Sequence, residues 1–103
     1  MAQAHLLIIY PNPKDPKAFD RAYREEHLPF AGPRLIGASS VVSKRVKSPG
    51  SAWYAVSDVT FPSLAALQDC AGSDAAKEAL DHAASISSGG APTIVVMTDD
   101  LAA

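Results

Sequence analysis

The side chains best suited to chemistry in this chain are its three histidines, His5, His27 and His82, together with Tyr23, Tyr54 and Asp58. His27 follows Tyr23 and Phe19 at helical spacing in the stretch PKAFDRAYREEHL, so all three share one apolar stripe aimed at whatever the helix packs on. An imidazole held there, kept neutral by partial burial, suits proton transfer near neutral pH, although the helix C-terminal dipole pulls towards the cation. The same position would serve a histidine that only bonds a main-chain carbonyl and anchors the helix end. Tyr23 is placed to polarise a substrate oxygen, or else to pack in the core with its hydroxyl satisfied locally. His27 and Tyr23 are the expected catalytic residues.

The stretch WYAVSDVTF alternates as a strand, putting Tyr54, Val56, Asp58 and Thr60 on one face and Trp53, Ala55, Ser57, Val59 and Phe61 on the other. A carboxylate among apolar neighbours is costly unless paired. Asp58 is therefore expected either to meet Lys44 or Arg45 on the adjacent strand, or to line a cavity with Tyr54. Tyr54, Asp58, Phe19 and His5 are the expected substrate-binding residues; Trp53 reads as packing. His5 enters the first strand at the same parity as Leu7 and Ile9, where a half-exposed strand-entry role competes with a pocket role. His82 falls with Glu78, Asp81 and Ser85 on the polar side of its helix and reads as solvated. Cys70 has no basic neighbour in sequence and reads as a buried, inert thiol. Gly89-Gly90 lacks the strand–loop–helix setting of a phosphate cradle.

These groups need elements to hold them. Ala4 to Tyr10 is apolar at odd and even positions, as in a central strand covered on both faces, and Pro11 and Pro13 end it. Asp15 caps a helix with Pro16 in its first turn. Pro29 disfavours helical geometry at Leu28, so that helix should end there, with Phe30 to Ile36 a loop. Gly37 to Val46 and Ala52 to Phe61 form a hairpin about Pro49-Gly50. Ser63 caps a short helix with Leu64, Leu67 and Ala71 inward. After Gly72-Ser73 a further helix turns Ala76, Ala79, Leu80, Ala83 and Ile86 inward. Ser87 to Ala91 is a loop, and Pro92 to Thr98 is the last strand. The order β-α-β-β-α-β is the split unit of ferredoxin-like folds, an α+β architecture with helices on one face of a four-stranded antiparallel sheet. The first and last strands are apolar on both faces, so a second copy of the chain is the expected cover for the other.

With 103 residues, one domain over 1–103 is expected. A net charge of −2 argues against a nucleic-acid partner, which would want a basic stripe. The single cysteine excludes an internal disulfide, and no Cys/His spacing fits zinc, so neither metal nor cofactor is expected. The N-terminal apolar run is too short for a signal peptide or membrane span, leaving the cytoplasm as the expected compartment and no membrane partner.

The segments HLLIIYPNP, DPKAFDRAYREEHLPFAGP, VSK at 42–44 and WYAVSDVTFPSLAAL together resemble the EthD family, named for ethyl tert-butyl ether degradation, within the dimeric α+β barrel group. The most specific part is Phe19, Tyr23, His27 and Pro29 at their spacing, and the likeness runs over nearly the whole chain. It implies a homodimer whose four-stranded sheets pack face to face into a barrel, with a small-molecule cavity in each subunit. EthD itself accompanies a cytochrome P450 ether-degrading system, without a clearly assigned role. Relatives of similar fold catalyse cyclisation, lactone isomerisation, dehydration or cofactor-free oxygenation, and some bind haem. Plant cyclases of the group carry a catalytic histidine in a first-strand setting like that of His5 and a second from a later helix. The solvated reading of His82 sets this chain apart from them.

Three functions follow as expectations. One is a cofactor-free acid–base enzyme acting on a small apolar carbonyl or aromatic compound, with His27 as acid/base and Tyr23 or Tyr54 polarising an oxygen. Another is a non-catalytic small-molecule binder accessory to a degradative pathway. The third is haem ligation by His27, for which Arg34 is the one basic group near the helix end.

Overall fold

The computed structural model describes residues 2–102. The element order is β1 (Ala4–Pro11), α1 (Pro16–Ala22), a π-helical turn (Tyr23–His27), α2 (Leu28–Ala31), a 3-10 turn (Gly32–Arg34), β2 (Ser40–Arg45), β3 (Trp53–Phe61), α3 (Leu64–Ala71), α4 (Asp74–Ile86) and β4 (Thr93–Thr98). The four strands form one antiparallel sheet in the order β2-β3-β1-β4, the α+β ferredoxin-like arrangement expected from the sequence. β1 is central, as its two-sided apolar pattern requires.

The local signals work largely as read. Asp15 accepts from Ala18 N, Ser63 from Ala66 N and Ser73 from Ala76 N, so each of α1, α3 and α4 begins on a side-chain cap. Gly89 is required by close approach: a Cβ there would lie 1.9 Å from the Asn12 carbonyl oxygen, where the loop before β4 crosses the end of β1.

The helix does not stop at Leu28. It runs on through α2 and the 3-10 turn to Arg34, so the expected loop over Phe30 to Ile36 is mostly helical. The reason lies one turn earlier. In the π turn the Leu28 amide bonds the Tyr23 carbonyl, five residues back. This widened turn relieves the clash between a proline ring and the preceding carbonyls, and Pro29 passes inside the helix. In α3 the inward residues are Leu67 and Cys70; Leu64 is 40% exposed and Ala71 is exposed too, contrary to expectation.

The register divides the sheet cleanly. Ala4, Leu6, Ile8 and Tyr10 of β1 join Val59 and Phe61 of β3 in the core under the helices, with Phe19, Leu67 and the α4 alanines Ala76, Ala79 and Ala83. The odd residues of β1 face the other way, alongside Val56, Asp58 and Thr60 of β3, Val42 and Lys44 of β2, and Val95 and Met97 of β4. On this open face Val42 and Met97 are 47% and 45% exposed. β4 lies at the sheet edge, and its Ile94 and Val96 are exposed as well. No helix among the described residues is long and apolar enough to cross a membrane.

Candidate functional site

The π turn positions the main cluster. In a regular helix Leu28 would stand well round the cylinder from Tyr23. The wider turn stacks it above Tyr23, so that Tyr23, His27 and Leu28 all face the sheet. They close one wall of an enclosed chamber of about 60 Å³, whose other walls include Ile8, Val41, Ser57 and Val59 from the sheet and Ala79 and Leu80 from α4. Tyr23 and Leu28 also line a second, open cleft of about 300 Å³ between α1 and β2, together with Phe19, Asp20, Arg24, Ser43, Lys44, Arg45, Ala55 and Val56. Tyr23 and Leu28 thus line both cavities and stand between them.

His27 is buried, and its Nδ1 lies 2.9 Å from His82 Nδ1. The rings are within 9° of parallel with centroids 5.1 Å apart, a geometry that suits one hydrogen bond between the two facing nitrogens. Burial, followed by the neighbouring His82, lowers the His27 pKa to about 4. His27 is thus neutral at pH 7. The reading of His82 as a solvated residue is overturned. It is half-buried, bonded to His27, and packed on Phe30 at 4.8 Å between centroids, with the Arg34 guanidinium over that ring at 3.6 Å from its centroid. His82 follows Ala79 by three residues, so it borders the buried stripe of α4; that spacing was the available signal. Its partner Phe30 comes within reach only because the helix continues past Pro29.

Tyr23 Oη is bonded to Ser57 Oγ at 2.7 Å and to Ser43 Oγ at 2.5 Å, which ties the π turn to the two strands that line the chamber. Phe19 lies under it, with ring centroids 5.9 Å apart. Tyr10 is fully buried beside this hydroxyl chain; its Oη lies near Ser57 but makes no hydrogen bond, and burial raises its pKa.

Tyr54 and Asp58 do not share a face. Ala55 opposes Tyr10 and Trp53 opposes Pro11, so Tyr54 is an inserted residue, a β-bulge that reverses the alternation at that point. Tyr54 accordingly turns towards α1, donating to Asp20 Oδ1 at 2.8 Å and packing on Phe19. Asp20 also receives Arg45 at 2.8 Å, and burial followed by Asp20 raises the Tyr54 pKa. Past the bulge Trp53 pairs with Pro11, whose parity is that of the open face; it is 53% exposed, not packed as expected.

Asp58 faces the open side, where Lys44 Nζ lies 3.3 Å away, the structural pairing anticipated from the sequence. It also meets His5, whose Nδ1 is 3.0 Å from Asp58 and whose Nε2 is 3.0 Å from Asp99. Hydrogen bonds to Asp99 and then Asp58 raise the His5 pKa. Of the expected site residues, the fold gathers His27, Tyr23, Phe19 and Tyr54 under the helices and puts His5 and Asp58 together across the sheet. Cys70 is buried, with its thiol pKa raised by desolvation. Among the described residues no cluster of His, Cys, Asp and Glu has the makings of a metal site. The chamber beside His27, at about 60 Å³, is too small as it stands for a porphyrin or an aromatic ring, so a ligand of either kind would have to widen it.

No protein-family model matches the chain, and no curated protein matches it in sequence. Solved structures do match. An ethyl tert-butyl ether degradation (EthD) family protein from Bacillus halodurans superposes with a TM-score of 0.80 at 23% identity, covering 94% of this chain and 97% of that one. An EthD-like protein from Ralstonia eutropha gives a TM-score of 0.70 at 15% identity, over 100% of this chain and 96% of that one. A dimeric ferredoxin-like protein of unknown function from Jannaschia gives 0.64 at 20%, over 98% and 100%. At these identities the likeness is one of fold. It matches the EthD resemblance read from the sequence in element order and in extent.

Proposed function

We propose that this chain is an EthD-like, homodimeric acid–base enzyme that moves a proton on a small, mainly apolar carbonyl or aromatic compound, as in isomerisation, dehydration or cyclisation. One observation carries the reading: a buried neutral imidazole lines an apolar chamber while its Nδ1 is bonded to a second, half-buried histidine. In the tautomer in which His27 Nδ1 donates to His82, His27 Nε2 is a free base. It takes a proton from substrate carbon, its Nδ1 proton passes to His82 Nδ1, and His82 returns a proton to water from its outer nitrogen. A low His27 pKa weakens the base, and the same relay run in reverse, from water through His82 to His27 Nε2, returns a proton to the substrate. Tyr23, at the junction of chamber and cleft, polarises the substrate oxygen.

Dimerisation through the open sheet face is supported by its exposed apolar side chains and by the dimeric neighbour of like fold. Two greasy sheet faces packed together are a standard route to a covered core.

The test is proton exchange. A panel of cyclic ketones and lactones is incubated in heavy water with the wild-type protein and with His27→Gln, and carbon-bound protons are followed by NMR. Exchange with the wild type alone supports the reading; equal exchange with both defeats it. Tyr23, Ser43 and Ser57 satisfy one another's hydroxyls, which favours a second reading, a binder that holds such compounds without converting them. Mass spectrometry of the compound retained by protein purified from its own host distinguishes the two, since an enzyme would carry product.

A further inference from the structure

The open cleft carries an uneven set of charges. Asp20 is the one carboxylate on its walls, against Arg24, Lys44 and Arg45. Arg45 is held by Asp20 at 2.8 Å and lies over the Tyr54 ring, and Lys44 reaches Asp58 on the other side of the sheet. Arg24 makes no ion pair with any described residue. Its neighbours on the outer side of the helix, Arg21 and Glu25, are paired with each other at 3.0 Å and leave it out. Arg24 belongs to the same π turn as Tyr23 and His27, so the backbone feature that aims those two at the chamber also fixes the arginine at the mouth.

We infer that the ligand of this site is an amphiphilic carboxylate, an apolar body that passes Tyr23 towards His27 with an anionic group left in the cleft against Arg24. This deepens the acid–base reading and rests on the same cavity. The arrangement suits an acid for three reasons. A planar guanidinium without a protein partner is free to take a carboxylate through two parallel hydrogen bonds. The cleft's net positive charge raises the local concentration of anions. The cleft falls at the small end of ligand-site volumes, and its apolar floor of Phe19 and Ala55 lies beside an apolar chamber, so only the mouth rewards charge. Such a molecule would bind in one direction, with its reactive end inward and its tail outward.

The experiment uses a matched pair of probes, 4-phenylbutanoate and 4-phenylbutanamide, titrated by calorimetry into the wild type, Arg24→Gln and the control Arg21→Gln, with the His27 ring resonances followed by NMR. The acid is expected to bind the wild type roughly tenfold more tightly than the amide, as one charge-assisted contact allows. That preference should vanish in Arg24→Gln, persist in Arg21→Gln, and be accompanied by a shift of the His27 resonances. If both probes bind equally and move His27, the anion assignment falls while the pocket reading stands. A preference that survives in Arg24→Gln also overturns it, by placing the anion elsewhere. If neither probe binds, the inference and the pocket reading fall together.

Discussion

His27 and His82 face each other edge to edge, Nδ1 to Nδ1 at 2.9 Å, from elements that are far apart in sequence. A bond between two imidazole nitrogens of the same kind needs one proton, since two would repel and none would leave two lone pairs opposed. The pair is therefore a single-proton device, and its state follows pH. His82 lowers the His27 pKa as the second cause after burial. His82→Ala removes that cause and opens the cavity to water, so the His27 titration midpoint should rise from about 4 towards the ordinary imidazole value of 6.5. Ring resonances followed by NMR against pH measure it. A midpoint that does not move would mean that the two rings do not interact in solution.

Stability should report the same group. The folded His27 pKa is depressed below the unfolded value of 6.5, so the unfolded chain binds the proton more readily. The contribution is whole above pH 6.5 and is lost as pH falls towards about 4. Because His82, the partner of His27, is only half-buried, the loss is expected at ~2 kcal/mol, short of the full linkage value. Urea unfolding at a series of pH values measures the slope, and His27→Phe should flatten it across this window.

How much of this could be read in advance depends on which forces set each feature. Caps, turns and strand order follow from local chemistry, as at Asp15, Ser63 and Ser73, and so does the stripe of Phe19, Tyr23 and His27. The misreadings around the site share one origin, a local rule overridden by one inserted residue. The π turn carries the helix through Pro29 and delivers Phe30 to His82. The bulge at Tyr54 reverses its side chain and separates it from Asp58. Neither insertion leaves a mark on apolar periodicity, because each acts by shifting phase. His82 was misplaced for a related reason: its flank of α4 looks polar until the extended helix is set against it.

Tyr10 offers a test inside the core. Its hydroxyl is sealed from water and lacks a hydrogen bond, a cost that deletion should recover. Tyr10→Phe keeps the ring contacts with Phe19 and Tyr23 and should raise stability by about 1 kcal/mol in chemical denaturation. The opposite outcome, a loss of similar size, would mean that the hydroxyl has a partner such as an enclosed water.

The open sheet face yields the last prediction. The protein should sediment as a dimer, at twice the 10.8 kDa of the chain, and a charge set into that face should dissociate it. Val42→Glu is the choice, since Val42 is 47% exposed in the single chain, opposes Asp58 across the strands, and takes no part in the helix-side core. Beside it stand His5, Asp58, Lys44 and Asp99. With His5 protonated these four charges cancel; with His5 neutral one negative charge is left over on a surface to be buried. The His5 pKa is already raised in the single chain by Asp99 and then Asp58, and burying the face in a dimer would raise it further, since only the protonated form leaves the cluster neutral. The dimer should accordingly be tightest in mildly acidic solution and weaken above neutrality, until falling pH begins to charge His27. Sedimentation equilibrium between pH 5.5 and 8.5 should show that trend, and His5→Gln should abolish it. A dissociation constant in the wild type that is flat with pH would mean that the cluster lies outside the interface.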